Sequence, residues 1–112
     1  MDDEILEVRD ALDRLHAATD DLIVRGVRAA GAQDLARLTS LRDELRTAGA
    51  EHLAGRLSAV VDALRANDRS AAPALLRAMA ALRLFDRMLT LEVAGQMLAG
   101  ADPSEPDLEP EE

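Results

Sequence analysis

Cysteine is missing altogether, aromatic side chains are reduced to Phe85, and lysine does not occur. Without cysteine there are no disulfides and no thiolate metal sites. Without Trp or Tyr there are no stacking platforms for bases, and no basic patch dominates, so nucleic-acid binding is not expected. No run approaches the roughly 18 uncharged apolar residues of a membrane span. Met1-Asp2-Asp3-Glu4 is acidic where a secretory leader would be basic. β-Branched residues are few and scattered, which argues against a sheet. Before residue 101 the sole proline is Pro73.

What remains is leucine, alanine, arginine and acids. The chain is 112 residues long and 48% hydrophobic, enough for one domain with a core. Leu and Ala lose little side-chain freedom in a helix, so the composition favours helix. A core of these residues buries less per side chain than one anchored by aromatics. Association with another chain is one way to add burial. All 13 basic residues are Arg; they are spread evenly, as coding bias in a GC-rich genome would leave them, and the setting expected is the bacterial cytoplasm.

The net charge of −9 is unevenly placed. Residues 101–112 hold six acids, three prolines and no base, whereas the rest of the chain holds 16 acids against 13 Arg. Such a tail cannot bury enough apolar surface to fold alone and reads as disordered. Leu108 is its one large apolar residue, a candidate docking motif in a segment that otherwise serves solubility.

Four amphipathic segments precede the tail. The first, about Asp3 to Ala30, carries Ile5, Val8, Leu12, Leu15, Thr19, Leu22 and Gly26 in alternating steps of three and four. Gly31 is its expected stop. The second, about Gln33 to Ala48, presents Leu35, Leu38, Leu41 and Leu45 and ends at Gly49. The third, about Glu51 to Ala66, presents Leu53, Leu57, Val60, Val61 and Leu64, and Asn67-Asp68 supplies the turn after it. The fourth, about Ala71 to Ala99, has Pro73 in its first turn, where the missing N–H does no harm. Leu75, Leu76, Met79, Leu82, Phe85, Met88, Leu89, Val93 and Met97 form a broad apolar band on it, and Leu84, Leu91 and Leu98 carry the band round the cylinder. A helix apolar over more than one face is either central in its bundle or shared with a partner.

These features predict an all-α fold: a four-helix bundle of two long and two shorter helices over residues 1–100, with a disordered acidic tail at 101–112. An alternative is a long first helix pairing with its copy beside a three-helix core. The function expected is a non-enzymatic protein–protein interaction module: an adaptor, accessory or small regulatory subunit. The expected partner is another protein or a second copy, a homodimer, with no cofactor, nucleic acid or membrane. Its partner-binding residues would be Ile5, Val8, Leu12 and Leu15 on the first segment and Leu84, Met88, Leu91 and Leu98 on the fourth.

No nucleophile motif, phosphate loop or paired metal-ligand motif occurs. His16 has Asp13 three residues before it and Asp20 four after, but only one such set exists where a metal-binding bundle needs several. Glu92 and Gln96 interrupt the band of segment four, with Arg83, Asp86 and Arg87 earlier on the same helix. A small-molecule or metal-binding bundle would draw on Glu92, Gln96, Arg83 and His16 around one cavity. A further alternative is an acidic, antitoxin-like binder of a basic protein. Asp10–Arg14 and Asp21–Arg25 have the stabilising i,i+4 order.

Overall fold

The structure is a computed structural model that describes residues 3–100. The tail read as disordered lies outside the described residues. Four helices follow one another: α1 (Asp3–Arg25), α2 (Ala32–Thr47), α3 (Glu51–Arg65) and α4 (Ala71–Gly100), with one 3-10 turn, Val27–Ala29, between α1 and α2. The fold is the all-α, four-helix arrangement expected, two helices long and two shorter. No strand occurs among the described residues.

Backbone chemistry at the joints sets the hairpins. After α2, Gly49 adopts φ +94°. The Ala50 N–H donates to the Leu45 carbonyl at 2.8 Å and the Gly49 N–H to that of Arg46 at 3.0 Å. After α3, Asn67 sits at φ 55°. There the Asp68 N–H donates to the Ala63 carbonyl at 2.9 Å and the Asn67 N–H to that of Leu64 at 3.1 Å. Both joints are Schellman caps, in which a left-handed residue satisfies the last carbonyls and turns the chain back. Gly and Asn are the residues that adopt this conformation at least cost.

Helix α1 stops earlier than its periodicity implies. Gly26, read as a member of the apolar seam, takes φ 90° and ends the helix at Arg25. The 3-10 turn then leads to Gly31, whose N–H donates to the Asp34 carboxylate at 2.9 Å. Asp34 lies in the first turn of α2, where an anion faces the helix N-terminus favourably. Helix α2 runs unbroken through Ser40, as the sequence suggested.

The core is almost wholly Leu, Val and Ala. Leu12, Leu15 and Leu22 of α1 meet Leu38, Leu41 and Leu45 of α2, Leu53, Leu57, Val60 and Val61 of α3, and Leu75, Ala78 and Leu82 of α4. Helix α3 packs against both α2 and α4, while α1 leans on α2 and touches α4 over a shorter stretch. So α3, not α4, is the central helix, and α1 belongs to the bundle rather than standing apart to pair with its copy. The excess apolar surface of α4 is not used up among the described residues. Burial on α4 ends at Leu89; from Thr90 to Ala99 only Val93 is even partly covered.

Candidate protein-docking surface

Two helices build the end of the molecule where α4 outruns the α2–α3 hairpin. Arg9 of α1 and Asp86 of α4 form an ion pair there. Arg9 also reaches the Thr90 hydroxyl at 3.5 Å, and that hydroxyl donates to the Asp86 carbonyl at 2.9 Å. This tether roots the outer part of α4 on the first turns of α1.

The uncovered side of α4 carries Leu84, Leu91 and Leu98 at seven-residue spacing, exposed to 56%, 66% and 77%. Met88 lies on the same stripe and is also exposed. At roughly 100° per residue the stripe sits about 160° round the helix from the core line through Leu75, Leu82 and Leu89. A neighbour can therefore lie along it without meeting the rest of the bundle. Gly95 occupies the remaining position on this stripe, and among the described residues a Cβ added there would meet nothing within 4 Å. Scattered exposed leucines are ordinary on protein surfaces, but a row in one register is not.

Beside this stripe lies a cleft of about 800 Å³ between α1, the end of α2 and α4. Ile5, Val8, Phe85 and Leu89 are its apolar floor, and Glu4, Glu7, Asp43 and Glu92 stand on its rim. Its wall is fixed by Arg14, which forks onto Glu44 with contacts of 2.9 and 2.6 Å and holds Asp10 at 3.0 Å. The charged hydrogen bond to Arg14 keeps the Glu44 carboxyl below its ordinary pKa, and the same contact pushes the Arg14 guanidinium above its own. At the other end of α1, Arg25 binds Asp21 and Asp34, each at 2.7 Å. The Asp34 carboxyl is held low, first by the Gly31 N–H and then by Arg25. Both i,i+4 pairs seen in the sequence are present. Their extension across to α2 had no signal in the sequence, because it depends on how the helices pack.

The partner-binding residues expected from the sequence divide into three groups. Leu84, Met88, Leu91 and Leu98 are exposed on one stripe. Ile5 and Val8 are half-buried, packed on the core's edge in the cleft floor. Leu12 and Leu15 are fully buried and are withdrawn from the surface. Their three–four periodicity is the same whether a seam faces a partner or the chain's own core, and here it is turned into the shared core, with α1 packed on α2 and α4. The exposed heptad spacing of Leu84, Leu91 and Leu98 is the feature that sequence reasoning passed over, although their numbers alone carry it.

The residues named for a metal or small-molecule site are not assembled. Glu92 lines the cleft, but Gln96, Arg83 and His16 do not. Among the described residues no group of three or more His, Asp or Glu side chains is placed to hold a metal ion. No helix among them is long and apolar enough to cross a membrane. No family model, curated protein or solved structure matches the chain.

Proposed function

We propose that this chain is a non-enzymatic helical interaction module, an adaptor, accessory or small regulatory subunit, that docks protein on the open side of α4. The observation that carries this reading is the exposed row Leu84, Met88, Leu91 and Leu98. Leaving such a row in water forgoes roughly 1.5–3 kcal/mol for each side chain that a partner would bury. The rigid bundle supports the reading too, since α4 is anchored along its inner half before it emerges. The evenly spread arginine fits a GC-rich bacterial source, and a cytoplasmic setting is part of the proposal.

The test is the native mass of the full chain purified from its own cell, wild type against Leu91→Glu. The wild type is expected in a species heavier than its own 12.0 kDa, and the variant is expected at the mass of one folded chain. A wild-type protein that is always a lone chain refutes the reading.

A second reading is favoured by the acid-rimmed cleft: a basic amphipathic segment of another protein seated over Val8 and Phe85. It requires binding that weakens steeply with salt, because rim charges act through screened attraction. Reversal of Glu4 and Glu7 to Lys must abolish it. Binding that survives this reversal rejects the cleft as its seat.

A further inference from the structure

We infer that the occupant of the α4 stripe is a second copy of this chain, with the two α4 helices parallel and in register. This rests on the docking reading above and names the partner. The stripe Leu84, Met88, Leu91, Gly95, Leu98 advances by four, three, four and three residues, which is the step of a heptad seam. The three leucines then fall at d positions and Ala81, Met88 and Gly95 at a positions. Leucine at d is compatible with two parallel strands, and Ala81 and Gly95, the small residues on either side of Met88, let the helix axes approach closely.

Charge chooses both the partner and its direction. From Arg83 to Ala99 the helix carries two Arg and two acids, so two copies meet here without net repulsion, although the whole chain is at −9. Arg87 falls at a g position and Glu92 at the e position five residues on. In a parallel pair each Arg87 meets Glu92 of the other copy, twice by symmetry. In an antiparallel pair centred on Leu91, Glu92 would instead face Glu92. Neither Arg87 nor Glu92 has an ion-pair partner among the described residues, so both are available.

The seam is short, two heptads over roughly 22 Å of helix. Four large side chains and their flanks bury on the order of 500 Å² per chain, below the roughly 800 Å² per partner of a standard stable complex. A dimer with Kd on the order of 10 µM is therefore expected.

Sedimentation equilibrium of the full chain across the micromolar range is the test. Leu91→Glu is expected to weaken the dimer at least about 100-fold while leaving the helical circular dichroism unchanged. Arg87→Glu and Glu92→Arg are each expected to weaken it about 10-fold, and the double swap to return it to within about threefold of wild type. Because the chain has no cysteine of its own, Met88→Cys gives a clean readout of direction: parallel copies cross-link at that position on oxidation. A failure of Met88→Cys alone, with cross-linking between Met88→Cys and Gly95→Cys chains, overturns the parallel register. A strictly monomeric chain at about 100 µM overturns self-pairing. If the monomer still enters a heavier complex in the cell that Leu91→Glu abolishes, the docking function stands and this inference alone falls.

Discussion

Replacing Leu15 with Ala and, in a second protein, Leu91 with Ala separates core from surface on two residues that look alike in the sequence. Leu15 is 0% exposed and lies among α1, α2, α3 and α4 core side chains. Removing three carbons there loses transfer energy and leaves a void that a helical core closes only in part. Leu→Ala changes at such sites cost about 2.7–5.0 kcal/mol. The many small neighbours, Ala11, Ala18 and Ala78 among them, offer little flexible side chain to refill the space, so a cost of about 3–4 kcal/mol is expected. For a domain of this size each kcal/mol lowers Tm by about 4–8 °C, which gives a drop of about 12–30 °C. Leu91 is 66% exposed, and Ala is at least as good a helix former, so its loss is expected to stay within about 0.5 kcal/mol. Thermal melts followed by circular dichroism at a few micromolar measure both, below the concentration at which association adds to stability. Equal destabilisation by the two changes would refute the division of α1 and α4 into buried and open seams.

Other expectations are independent of any partner. Gly49→Ala meets no atom within 4 Å, so its cost is that of forcing a Cβ residue to φ +94°, about 1–2 kcal/mol in urea unfolding. Gly55→Ala, inside α3 and equally uncrowded, should instead stabilise by about 0.5–1 kcal/mol. Among the described residues the buried Thr39 hydroxyl has no hydrogen-bond partner, so Thr39→Val should be neutral or raise stability by up to about 1 kcal/mol; a clear loss would mean the hydroxyl is satisfied. Glu44 and Asp34 have folded pKa values below their ordinary 4.5 and 3.8. A depressed carboxylate stabilises the fold above its unfolded pKa and ceases to as pH falls through the folded one. Tm should therefore be insensitive to these groups near neutrality and fall below about pH 4.5. Glu44→Gln with Asp34→Asn should flatten that fall, and an unchanged acid limb would show that neither pair matters.

Helix number, order and most boundaries were legible because local rules set them. Gly49 and Asn67 stand where a left-handed cap is needed, and the three–four spacing of Leu53, Leu57, Val60 and Leu64 marks a helix face whatever it packs on. The end of α1 was misplaced because glycine inside a helical pattern is only mildly unfavourable. Whether Gly26 bends the chain is decided by the need of α2 to fold back, a tertiary demand. The same limit applied to the docking surface. Periodicity says which residues share a face; it does not say which of two apolar faces on α4 the bundle takes, nor that the seam of α1 is consumed within the chain. Arg14–Glu44 and Arg25–Asp34 join residues on different helices, and no spacing rule reaches across such a gap.

The way α4 outlasts its neighbours has a kinetic corollary. Beyond Thr90 its amides are held mainly by their own ladder, so they should unzip from the free end without waiting for the rest of the molecule. Deuterium uptake would then form a gradient along the helix, slow at Leu75 and Leu82 and fast toward Leu98. Anything that seats on the leucine row must flatten that gradient, which makes the fraying tip a built-in reporter of occupancy.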